Sequence, residues 1–120
     1  MMRVLVTGSR SWKDKEAALI RSGASLVIHG GALGADSLAD EVARELKIPR
    51  KIYRAEWEKY GKAAGSIRNG FMLHDSQPDI VLAFWDGKSP GTRDMIAKAK
   101  RYGVEVWTCF ADLTEIGVKR

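Results

Sequence analysis

Cysteine is almost missing from this 120-residue chain. Cys109 stands alone, so no internal disulfide can form, and with two histidines and no CxxC pair nothing is spaced to hold a metal. Proline occurs three times, at Pro49, Pro78 and Pro90, each singly and at an element boundary, which excludes a proline-rich linker. No apolar run is long enough for a secretory leader or a membrane span. These absences predict a cytoplasmic protein with no membrane partner and no requirement for a metal or cofactor. A run of one charge sign is missing as well. Net charge is +5, yet residues 1–60 carry 11 basic and 8 acidic groups and residues 61–120 carry 9 and 7. The excess is spread evenly, without a basic arm. A nucleic-acid footprint would have to be assembled by the fold, and a few cations around a small anion fit the composition equally well.

The rest of the composition is that of an ordinary globular chain, 45% apolar and 29% charged. At 13.3 kDa it is expected to form one domain over residues 1–120. Short β-branched runs alternate with helical patterns. Strands are predicted at Val4 to Val6, Ser25 to Ile28, Lys51 to Arg54, Asp79 to Phe84 and Val104 to Trp107. Ala35, Leu38, Ala39, Val42 and Leu46 share one helix face; Ile96, Ala99 and Gly103 do so in part. A shorter helix is predicted from Lys13 to Ser22, ending at Gly23, and the tail from Asp112 to Arg120 shows no clear pattern. Alternation of this kind predicts an α/β fold, a Rossmann-like three-layer sandwich around a mainly parallel five-stranded sheet.

Eight of the 12 glycines, Gly8, Gly30, Gly31, Gly34, Gly61, Gly65, Gly87 and Gly91, fall after a predicted strand or at a helix start. That is one edge of the sheet, where open α/β folds bind ligands and backbone amides reach an anion. Turn chemistry alone is the competing reading. Gly8, Ser9 and Arg10 close the first strand and bring a hydroxyl and a guanidinium to that edge. The run from His29 to Asp36 closes the second, with Gly30, Gly31 and Gly34 offering amides; it is not a dinucleotide fingerprint, because His29 stands where glycine is needed. Asp36 is either a ligand contact or a carboxylate favoured by the helix dipole. His29 reads as structural. Lys62 does not make a P-loop, since Ala63 replaces the magnesium-binding hydroxyl. Gly65 and Gly70 flank Arg68 and Asn69, which either face the crevice or lie on a polar helix face. Thr92 is read as an N-cap leaving the Gly91 and Thr92 amides open to an anion, with Asp94 just inside the helix.

In order, VTGSR, HGGALGAD, the W-E-K-Y-GKAAGSIRN block, PDIVLAFWDG and SPGTRDM resemble the YspA-like, cpYpsA-related branch of the SLOG superfamily, from about Val4 to Val106. The resemblance implies a Rossmann-like fold shared with the LOG phosphoribohydrolases of nucleoside 5′-monophosphates, with the DNA-processing protein DprA and with sensors of nucleotide-derived signals. Carried over, Gly8, Ser9, Arg10, Gly30, Gly31, Gly34, Asp36, Gly91 and Thr92 would line a nucleotide pocket, and Lys62 and Asn69 are expected beside them as nucleotide or phosphate contacts. Arg68 would match the catalytic-segment arginine. The PGGxGTxxE motif of the hydrolases survives only as Ser89-Pro90-Gly91-Thr92. Met95 occupies the glutamate position, and Asp94 is the nearest carboxylate, about 100° away around a helix.

The expectation is therefore a protein that binds a nucleotide-derived small molecule, as sensor or sequestering protein. One alternative is a phosphoribohydrolase using Arg68 and Asp94 as catalytic residues. Another is a single-stranded DNA binder using Trp57 or Trp85, less favoured because the charge is dispersed. The resemblance also implies a homodimer.

Overall fold

The computed structural model of the chain describes residues 2–9, 23–110 and 118–119. Arg10, the helix expected from Lys13 to Ser22 and most of the tail lie outside the described residues. The elements are β1 (Arg3–Gly8), β2 (Leu26–His29), α1 (Ala35–Glu45), β3 (Arg50–Ile52), α2 (Trp57–Tyr60), a 3-10 turn (Gly61–Ala63), α3 (Ala64–Ser76), β4 (Ile80–Trp85), α4 (Pro90–Arg101), β5 (Glu105–Phe110) and β6 (Val118–Lys119).

The sheet runs β3-β2-β1-β4-β5-β6. The first five strands are parallel, and the two-residue β6 returns antiparallel to β5. All five expected strands are present, with ends displaced by one to three residues, and β6 is an addition. Partners set the ends: β5 runs to Phe110 because it pairs with β4 as far as Trp85.

Both faces of the central strands are buried, and the strand period of two sorts their side chains. Val4, Val6, Ile80, Leu82 and Phe84 pack with Ala35, Ala39, Val42 and Ala43 of α1. Leu5, Val81 and Ala83 point the other way, against Met72 and Leu73 of α3 and Met95 and Ala99 of α4. Each fully buried large side chain, such as Phe84 or Leu5, adds roughly 1.5–3 kcal/mol of transfer free energy. Parallel strands place every strand-to-helix loop at one edge, and the order of the sheet reverses between β1 and β4. Among the described residues no helix is long and apolar enough to cross a membrane.

Candidate functional site at the carboxyl edge

At the end of β1, Gly8 is a packing residue. A Cβ there would lie 2.5 Å from the Ala35 Cβ and 2.6 Å from the Phe84 carbonyl, so glycine lets α1 and β4 close on the strand. Ser9 is 1% exposed. Its hydroxyl accepts from the Asp86 amide at 3.0 Å and lies 3.1 Å from the Ser89 hydroxyl, and its carbonyl accepts from the first amide of α1 at 3.2 Å. Ser9 thus ties β1 to the β4–α4 loop. Asp86 braces the same loop, accepting from the Lys88 and Ser89 amides at 2.8 Å each. Those amides, Ser89 first, hold its carboxyl down at about 2.

The β2–α1 loop, read as an anion cradle, already holds an anion of its own. Asp36, 5% exposed, accepts from the amides of Gly30 at 3.0 Å and Ala32 at 3.2 Å. Burial pushes its carboxyl up, against the pull of the Ala32 amide and the Arg68 charge. The Gly31 amide donates to Nδ1 of His29 at 3.0 Å, which leaves the ring proton on Nε2, donated to Asp40 at 2.7 Å. His29 is structural, as its place in the sequence indicates. Asp40 also accepts from Arg44 and Arg50, fastening α1 to β3. Gly34 stands at φ 78°, ψ −123°, a conformation open essentially to glycine alone, and starts α1 without a side-chain cap.

Across the edge stands Arg68 of α3. Its Nη1 donates to the carbonyls of Gly30 at 2.8 Å and Tyr53 at 3.2 Å, and its Nε to Oδ1 of Asn69 at 3.0 Å. Nη2 has no partner among the described residues. Burial lowers the guanidinium's pKa, offset in part by Asp36, and an arginine at such a site stays charged. Gly30 makes this placement available: a Cβ there would sit 2.3 Å from Nη1 of Arg68.

Asn69, 4% exposed, joins Arg68 to α4. Its Nδ2 donates to the Gly91 carbonyl at 3.2 Å and to Oδ2 of Asp94 at 3.1 Å. Asp94 further accepts from both Lys98 and Ser66. Burial pushes the Asp94 carboxyl up, but the Lys98 and Asn69 hydrogen bonds outweigh it and leave the group below its ordinary value. The carboxylate is therefore a fixed anion with its lone pairs committed to an α3–α4 clamp. Met95 is fully buried in the core, so the glutamate position of the hydrolase motif points into the sheet.

Helix α4 begins at Pro90, with Ser89 as N-cap residue, and not at Thr92 as its hydroxyl implies. Proline at the first helical position has no amide to leave unpaired, and the Arg93 amide is taken by the Ser89 carbonyl. The Gly91 and Thr92 amides remain without backbone partners among the described residues, and beside Gly91 a Cβ would meet nothing within 4 Å. Lys62 is exposed on the 3-10 turn, and no hydrogen bond or ion pair ties it to this group. Among the described residues no three His, Cys, Asp or Glu side chains are placed to hold a metal ion.

Contacts thus link Gly91, Asp94, Asn69, Arg68, Gly30 and Asp36 into one array, while Ser9 belongs to the loop brace beside it. Sequence reasoning missed Arg54. The third strand is expected to end at Arg54, but β3 ends at Ile52 and the Arg54 guanidinium lies against Gly31, where a Cβ would come within 2.8 Å of its Nη1. The signal available was an arginine closing a strand, as Arg10 closes the first.

A parallel α/β sheet flanked by helices, with Arg68 and the start of α4 at its carboxyl edge, defines a Rossmann-like fold. The chain belongs to the family described as the YspA, cpYpsA-related SLOG family, which matches residues 2–60. It is similar to the Gene 61 protein of Mycobacterium phage D29, at 41% identity covering 88% of this chain and 94% of the phage protein.

Proposed function

We propose that this protein binds a nucleotide or nucleotide-derived ligand at the carboxyl edge of its sheet, as a sensor or sequestering protein. The observation that carries the reading is Arg68: a partly buried guanidinium is anchored through Nη1 on Gly30 and Tyr53 and through Nε on Asn69, which itself reaches α4, while Nη2 has no partner among the described residues. A charge already desolvated and oriented binds a phosphate with little further ordering cost. Membership of the SLOG family supports a nucleotide-related ligand. The hydrolase alternative draws less support, because Asp94 is committed to Lys98, Asn69 and Ser66 and Met95 fills the glutamate position. The DNA-binding alternative keeps the exposed Trp57 but loses Trp85, whose indole donates to the Ser89 carbonyl and lies under the Arg93 guanidinium, so no row of stacking residues supports it.

Native mass spectrometry of freshly purified protein tests the proposal. A nucleotide-mass adduct retained by wild type and lost from Arg68→Ala is the expected result. An adduct that survives the substitution overturns this placement of the site.

A further inference from the structure

Two arginines lie against consecutive glycines at the end of β2, each in space that the glycine leaves open. A Cβ on Gly30 would strike Arg68 Nη1 at 2.3 Å, and one on Gly31, at φ +71°, would lie 2.8 Å from Arg54 Nη1 and 3.2 Å from the Ile52 side chain. Consecutive Cα atoms are about 3.8 Å apart, so the two guanidinium groups rest on neighbouring steps of the chain. Several cations of the described residues have carboxylate partners: Arg3 with Asp79, Arg44 and Arg50 with Asp40, Lys51 with Asp75 and Lys98 with Asp94. Arg54 and Arg68 form no ion pair among the described residues. The nearby carboxylate, Asp36, is spent on the Gly30 and Ala32 amides. Asp36 offsets the Arg68 charge in part, whereas Arg54 has no carboxylate paired with it among the described residues and is available to an added anion.

Shared contacts give the order of donors along the edge. Asn69 touches the Gly91 carbonyl and Arg68, Arg68 touches the Gly30 and Tyr53 carbonyls, and Arg54 follows on Gly31. One anionic group set between the α4 amides and Arg68 would leave Arg54 for a second.

We propose that Arg54 and Arg68 form a two-pronged receptor astride Gly30 and Gly31, and that the ligand carries two adjacent anionic groups, the chemistry of a nucleoside diphosphate and not of a monophosphate. This deepens the proposed function and rests on the anion site assigned there. Arg68 takes the first group, and Arg54 distinguishes a diphosphate from a monophosphate by its fork of donors to the second.

Calorimetric titration with inorganic phosphate and inorganic pyrophosphate tests it without reference to any base. Wild type is expected to bind pyrophosphate at least about tenfold more tightly than phosphate, the order of one charge-assisted contact. Arg54→Gln should bring that ratio close to one, and Arg54→Lys, keeping charge without the fork, should fall between. Lys100→Gln, a cation in the last turn of α4, should leave the ratio as in wild type. Phosphate binding with no preference for pyrophosphate, or a preference untouched in Arg54→Gln, overturns the two-pronged receptor and leaves the Arg68 site standing. Failure of wild type to bind either anion overturns both.

Discussion

Arg68 is held by what surrounds it more than by its own helix. Gly30 supplies both the carbonyl that orients the guanidinium and the empty volume in which it lies. Gly30→Ala is therefore expected to expel Arg68 and weaken phosphate or nucleotide binding about as much as Arg68→Ala, roughly 10- to 150-fold by loss of one charge-assisted contact, read by calorimetry. The melting temperature should change little, because the displaced group is the far end of a flexible side chain. Asp86 gives a second test at this scale. Amide hydrogen bonds hold its folded pKa at about 2, below the ordinary 3.8, so its contribution to stability is complete above about pH 4 and is lost as pH falls toward 2. Asp86→Asn should flatten the decline of the urea midpoint between pH 4 and pH 2, and an unaltered decline would contradict the assignment. Arg68, Asn69 and the Gly91 amide were legible in the sequence because glycine-flanked polar residues stood out. Asp36 was legible as a site residue without its role, since spacing cannot tell whether a loop's amides await a ligand's anion or already hold the chain's own carboxylate.

At the scale of elements, α3 and α4 are joined by a polar seam of Ser66, Asn69, Asp94 and Lys98 above the apolar contact of Met72, Leu73, Met95 and Ala99. Asn69 is the member that also reaches Arg68. Asn69→Leu leaves the Gly91 carbonyl and Asp94 short of a donor and frees the Arg68 Nε. It should cost roughly 1–3 kcal/mol in urea denaturation and weaken ligand binding as well, whereas a purely structural Asn69 would change stability alone. The period-two runs made the five parallel strands readable, and their ends were set by partners that sequence does not show. The α4 start was misplaced because serine, proline and threonine all carry N-terminal signals. Pro90 prevailed since only its missing amide fits the first helical position. Arg54 escaped notice for the same kind of reason, as β3 stops two residues before it when pairing with β2 ends at His29 and Ile52.

For the whole molecule, the parallel sheet collects its strand-to-helix loops at one edge, and the segment that follows β3 into α3 carries exposed apolar side chains. Ile67 and Phe71, one turn apart on α3, are exposed, and Trp57 and Tyr60 are exposed just before that helix. Apolar side chains gathered in this way mark interaction surfaces. We propose that this face pairs two copies of the chain. Light scattering at micromolar concentration should then give twice 13.3 kDa, and Phe71→Glu should return the monomer; a 13.3 kDa wild type would contradict the pairing.

The central claim, an anion site at the carboxyl edge centred on Arg68, is tested most directly by amide NMR titration of the full chain with a nucleoside diphosphate. Shifts concentrated at Gly91, Thr92, Gly30, Gly31 and the Arg68 side-chain Nε–H are predicted. Shifts confined to the opposite edge, at Arg3, Asp79 and Tyr102, or a spectrum unchanged at saturating ligand, would contradict it.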